Sequence, residues 1–209
     1  MMAAAASRIR ERHAWLSGLD SVAGDGDHGS AMLRTMDRLQ KSFANESHAD
    51  LRLSFCQAGW LVMGADGGAS TSLIGAFFLG MGEATAEGVS SWNCAEMTAA
   101  LQAGLDLVQI QTKARPGDKT MMDALTPAVE AFAEGARAGQ NIALALVAAA
   151  RAAKAGAEAT RNMSARYGRA RLLGEKTLGS EDPGAASIAL IFEGFCEGIN
   201  KSEGEAGNA

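Results

Sequence analysis

An all-α fold, a barrel or bundle of eight antiparallel helices, is predicted by three features of the sequence. Apolar residues recur at three- and four-residue spacing in eight segments, β-branched residues are few, and alanine and glycine are abundant. The spacing gives each helix one buried stripe. Small residues let helix backbones approach closely, which favours helix packing over a sandwich or a doubly wound sheet.

The periodic segments are residues 3–17, 30–43, 51–64, 71–86, 94–111, 120–136, 142–160 and 185–199. The first two flank an acidic, glycine-rich loop, and "NESHAD" connects the second to the third. The fourth is the apolar run "LIGAFFLGMG", with Thr71 and Ser72 as candidate caps, and "EGVSSW" follows it. The fifth carries the clearest start: Asn93 as N-cap and Glu96 three residues on form a capping box, and Met97, Leu101, Leu105 and Val108 make its stripe. Pro127 frees one backbone carbonyl in the sixth and is expected to kink it. The eighth opens with Asp182 as cap and Pro183 at the first helical position. No domain boundary interrupts the series, so residues 1–209 are expected to form one domain, with 200–209 a flexible tail.

Composition narrows the function classes. A net charge of -5, with 47% apolar and 21% charged residues, fits a soluble globular protein and gives no electrostatic case for nucleic acid or an anionic membrane. No apolar run approaches the ~18 residues that mark a membrane span, and the opening "MMAAAASRIRERHAWL" turns charged where a signal peptide needs its apolar segment. A cytoplasmic location is therefore expected. Cys56, Cys94 and Cys196 are scattered in apolar surroundings and read as reduced core residues.

Four loops carry the chemistry: "GLDSVAGDGDHG", "GADGGAS", "TKARPGDKT" and "SARYGRARLLGEKTLGSEDPG". The first matches G-x-G-x-x-G, yet it lacks the preceding strand and βαβ setting of a dinucleotide fingerprint, and bare carboxylates repel pyrophosphate. A hard cation reverses that repulsion. Asp25 and Asp27, one glycine apart in an irregular loop, can converge, and Asp20 can reach back to them. Three carboxylates without a thiolate or histidine cluster suit magnesium better than zinc, and the glycine and glutamate of an EF-hand are missing. Spacing alone leaves an Asx-stabilised turn equally open.

His28, at the opening of the second helix, is either a structural histidine or an anion contact beside free amides. Gly67 and Gly68 permit a tight turn, after which Ala69 and Ser70 offer amides and a hydroxyl to an anion, or merely a cap. Lys119 is either a phosphate neutraliser or a surface lysine, and Met121 either core or a flat wall for a base. Arg166, Arg169 and Arg171 form a cationic cluster, one of which is expected to face a nucleotide. "GEKT" at 174–177 is not a Walker motif, because glutamate stands where lysine is required. No serine, cysteine or histidine arrangement specifies covalent attack, so no catalytic residue is assigned.

"LDSVAGDGDHG", "GGAS", "RPGDKTMMDAL", "GRARLLGEKTLG" and "DPGAAS", in that order across the chain, resemble the nucleotide-binding L component of the dihydroxyacetone kinase family. The resemblance implies a barrel of eight antiparallel helices with nucleotide held at one end. It implies that Asp20, Asp25 and Asp27 bind a pair of magnesium ions bridging to the phosphates of ADP or ATP. Phosphate contacts fall on His28, Gly29, Ser30, Ala31, Ala69 and Ser70, and nucleotide-pocket contacts on Thr112, Met121, Arg169, Asp182, Pro183 and Gly184. The implied partners are a substrate-binding K subunit and a phosphohistidine donor protein. Alternatives are the ATP-binding subunit of a split ATP-dependent ketose kinase and a non-catalytic helical regulatory module.

Overall fold

Eight α-helices run through the computed structural model, which describes residues 1–44 and 50–206. They are α1 (Met2–Asp20), α2 (His28–Ala44), α3 (Leu51–Met63), α4 (Gly68–Glu83), α5 (Cys94–Gln111), α6 (Met122–Arg137), α7 (Ile142–Ala159) and α8 (Pro183–Ala206). No strand occurs among the described residues. Each helix packs on the next, and α8 returns to α1, so the eight close into a ring. Neighbours joined by short links run antiparallel. The interior is filled by side chains from around the ring, among them Met32, Phe78, Leu101, Leu125, Phe132, Leu146 and Phe192.

Local signals place the helix ends. Asn93 and Glu96 form the expected reciprocal capping box. Asp182 Oδ2 accepts from the Ala185 amide at 2.7 Å, with Pro183 opening α8. Asp50 caps α3 through Leu53 N and also accepts from Gly88 N, tying the α4–α5 connection to the start of α3. The rest of the connection expected at 45–50, residues 45–49, lies outside the described residues.

One expectation is corrected. Helix α4 begins at Gly68, so Thr71 is no cap: its hydroxyl donates to the Gly67 carbonyl and meets Thr35 inside the ring. Helix α6 continues through Pro127. The Asp123 carbonyl, which Pro127 leaves without its helical donor, is covered by α7 at Gly156, where an added Cβ would stand 1.9 Å from that oxygen. Helix α8 extends as far as Ala206.

Helix α4 is enclosed by α3 and α5 and is buried from 74 to 82 without interruption. Glycines make this possible. A Cβ on Gly59 would stand 2.6 Å from Leu79 N, and one on Gly104 would stand 2.6 Å from Phe77 O. The three cysteines are free and half-buried. Among the described residues, no helix is long and apolar enough to cross a membrane.

Candidate functional site

Antiparallel alternation brings the N-termini of α2, α4, α6 and α8 to one end of the ring, around a cavity of about 410 Å³. The wall includes His28 of α2, Gly68 to Ser70 of α4, Met121 and Met122 at α6, and Asp182 to Gly184 at α8. Each helix N-terminus presents unsatisfied amides and roughly half a positive charge. Four of them around one cavity make a seat for a polyanion.

The acidic loop lies on the same cavity. Helix α1 stops at Asp20, whose carbonyl accepts from Ala23 N and Gly24 N, and the chain reverses through Gly26 at a φ of +77°. That left-handed residue suits glycine. Asp20, Asp25 and Asp27 then converge, each offering a carboxylate oxygen within 4.8 Å of the others, with Asp25 and Asp27 exposed. The Asp20 carboxylate also accepts from the His28 amide at 3.4 Å, linking the triad to the start of α2. The set fits a hard divalent cation: three converging oxygen donors, with exposed sides for water and phosphate. Arg169 donates to Asp25 and holds its carboxyl below the usual carboxylate range.

Most of the predicted site residues meet here. Asp20, Asp25, Asp27, His28, Ala69, Ser70, Thr112, Met121, Arg169, Asp182, Pro183 and Gly184 all line the cavity. Gly29, Ser30 and Ala31 do not. Gly29 packs against α1, where a Cβ would stand 1.8 Å from the His13 carbonyl; Ser30 faces solvent; and Ala31 lies in the core with its amide already bonded to Asp27 O. His28 is buried, its Nε2 2.8 Å from Ser187 Oγ, and burial lowers the imidazole pKa. It therefore joins a structural bond to a place on the cavity wall.

Lys119 is neither a surface lysine nor free for phosphate. Its Nζ donates to the carbonyls of Thr160 at 2.7 Å, Thr177 at 2.8 Å and Ser180 at 2.6 Å, and only 5% of the residue is exposed. Its φ of 60° is the one positive value on a non-glycine among the described residues, a conformation costing on the order of 1 kcal/mol or more. The three bonds offset that strain. Asp123 completes the clasp by accepting from Gly117 N and Thr120 N.

Of the arginine cluster, Arg169 faces the cavity, whereas Arg166 pairs with Asp118 and Arg171 points away into solvent. Tyr167 also lines the cavity and donates to Lys113 O at 3.2 Å. Sequence reasoning passed over it, although it is the one tyrosine of the chain and sits inside the arginine cluster. Burial pushes the Asp182 carboxyl up to about 7, against the opposing pull of the Ala185 amide and the Lys119 charge.

A closed helical ring with a carboxylate triad and four helix N-termini at one end defines an all-α domain suited to hold phosphates through a cation. The chain belongs to the DAK2 domain family, whose model matches residues 22–197. It is 35% identical over 179 residues, 86% of this chain and 85% of the relative, to the PEP-dependent dihydroxyacetone kinase, ADP-binding subunit DhaL, of Escherichia coli (strain K12). It is 36% identical over 196 residues to the L-erythrulose 1-kinase of Mycolicibacterium smegmatis, spanning 91% of this chain and 33% of that longer protein. Among solved structures, the dihydroxyacetone kinase of C. freundii in complex with AMP-PNP and Mg2+ superposes with a TM-score of 0.71 at 28% identity. The match covers 94% of this chain and 33% of that kinase.

Proposed function

We propose that this chain is the nucleotide-carrying subunit of a dihydroxyacetone kinase. It keeps ADP with magnesium at the open end of the ring, accepts phosphate from a phosphohistidine protein, and passes it to dihydroxyacetone on a partner K subunit. The observation that carries the proposal is the meeting of Asp20, Asp25 and Asp27 with four helix N-termini in one cavity. The ADP-binding subunit from E. coli, matched over 85% of its length, supports the choice of nucleotide and donor. The kinase crystallised with AMP-PNP and Mg2+ supports the cation.

The residues divide the task. Asp20, Asp25 and Asp27 would hold the cations, a pair in this proposal, which screen crowded phosphate oxygens and stabilise charge on the transferring phosphoryl group. The first-turn amides of Gly68, Ala69 and Ser70 orient phosphate oxygens without bringing a mobile charge. Met121 and Thr112 form the wall against which a base rests, and Asp182 to Gly184 close the far side. Arg169 reaches the phosphate side of the cavity and adds positive field there. In this proposal the ketose is held by the partner K subunit.

A second proposal, an ATP-binding subunit of a split ATP-dependent ketose kinase, is favoured by the 36% identity to the L-erythrulose 1-kinase. Reconstitution separates the two. The purified chain is combined with a candidate K partner and supplied first with ATP, then with a phosphohistidine donor. Turnover with the phosphohistidine donor alone supports the first proposal, turnover with ATP supports the second, and kinase turnover by the isolated chain contradicts both.

The cation site is tested separately. Asp25→Ala and Asp27→Ala are each expected to lose magnesium-dependent nucleotide retention, measured by calorimetry, while circular dichroism keeps its helical signal. Undiminished retention in both variants removes the loop from the site.

A further inference from the structure

The crossing from α7 to α8, residues 163–181, passes over the mouth of the cavity and is held in two different ways. Its ends are fastened by buried bonds. Arg166 N donates to Asp118 O, Ala165 N donates to Thr177 Oγ1, and the Lys119 ammonium holds the carbonyls of Thr177 and Ser180. Between them lies a flap, residues 168–176, wound in 3-10 turns that break at Gly174. It is exposed along nearly its whole length, with Leu172 84% exposed. Gly168 and Gly174 take φ values of 65° and 52° with open space around them, so both ends of the flap can turn at little cost.

Among the described residues, the polar side-chain tether from this flap to the ring is Arg169 on Asp25. Asp25 also belongs to the converging carboxylate triad. The guanidinium therefore sits on a carboxylate that a divalent cation would also use. A guanidinium and a dication held a few ångströms apart also repel one another, so one carboxylate serves both poorly.

We propose that Arg169 is an internal competitor for the divalent cation: on Asp25 it latches the 168–176 flap across the mouth, and a cation that takes Asp25 unlatches it. The proposal rests on the assignment of Asp20, Asp25 and Asp27 as the cation site. Release leaves the guanidinium free to meet phosphate oxygens and opens the mouth at the moment the cation is in place. Cation and nucleotide binding are thereby linked through one side chain. The coupling is reciprocal: phosphates that capture Arg169 strengthen the hold of Asp25 on the cation.

The experiment uses the full chain, stripped of divalent cations by chelation, with Mn2+ as the probe. Free Mn2+ is counted by electron paramagnetic resonance, and amide hydrogen exchange follows the flap. In wild type, Mn2+ is expected to speed exchange across 168–176 by about threefold or more, while 177–181 stay protected. Arg169→Gln should show the faster flap exchange without Mn2+, show no further change on its addition, and bind Mn2+ about tenfold more tightly. Asp25→Asn should free the flap as Arg169→Gln does, and the double variant should add nothing to either, the signature of one shared contact. Mn2+ binding to wild type with unchanged flap exchange overturns the latch alone. Failure of both wild type and Arg169→Gln to bind Mn2+ overturns the cation site, and the latch with it.

Discussion

The wall made by α3, α4 and α5 and the crossing between α7 and α8 are both rich in glycine, yet glycine serves opposite ends in them. In the wall, Gly59, Gly80 and Gly104 lie in regular helix, and a Cβ on any of them would stand 2.6 Å from a neighbouring backbone atom. In the crossing, Gly168, Gly174 and Gly179 take positive φ and have nothing within 4 Å of a Cβ. The first set is there for space and the second for backbone direction. The wall is consequently rigid by packing, whereas the crossing depends on a few polar fastenings, chiefly those of Lys119.

The largest effect is expected where the crossing is fastened. Lys119→Met keeps the aliphatic stem but removes three charge-assisted bonds to buried carbonyls, and should cost about 3 kcal/mol in denaturant unfolding. Hydrogen exchange should rise through 160–181 and stay unchanged in α3 to α5. Equal loosening of both regions would erase the distinction drawn between them.

A smaller effect is expected in the wall. Gly104→Ala forces a methyl against the Phe77 carbonyl and ring, and overpacking of this kind costs about 1–3 kcal/mol, partly offset by the better helix propensity of alanine. The loss should appear as a lower denaturation midpoint, with nucleotide retention per folded molecule unchanged. Impaired retention at full folding would show that the wall and the cavity are mechanically coupled.

A pH-dependent effect separates capping from charge at the edge of the crossing. With its carboxyl pushed up to about 7 from an ordinary 3.8, Asp182 holds its proton more tightly in the folded chain than in the unfolded one. Its contribution to stability is therefore greatest below about pH 4 and is lost as pH rises through 7. Asp182→Asn can still accept from the Ala185 amide but cannot ionise. Its melting temperature should gain on wild type between pH 5 and pH 8, and calorimetric curves that stay parallel across that range would place the carboxyl at its ordinary value.

Much of this was legible in the chain itself, for reasons that particular residues make plain. Asn93 with Glu96, and Asp182 with Pro183, act within one helical turn, so their spacing carries the whole signal. Asp25 and Asp27, separated by a single glycine, could converge in so short a loop, although spacing alone left a solvated turn equally open. The family resemblance extended the site to Thr112, which the residues alone did not single out, and favoured the pocket reading of Met121 over the core one. Lys119 escaped because its three acceptors lie 41 to 61 residues away. Gly29 and Ala31 came from the family resemblance, yet the packing of α2 against α1 and the core places them away from the cavity wall.

By itself, the sequence determined eight helices, the caps of α5 and α8 and one acidic turn, because periodicity, capping and turn chemistry are decided among residues within a few positions of one another. Only the tertiary structure decided which helix ends share a cavity, that Lys119 is spent on backbone carbonyls, and that Arg169 reaches Asp25. Those pairings join segments far apart in the chain, and they exist only once the ring of helices has closed.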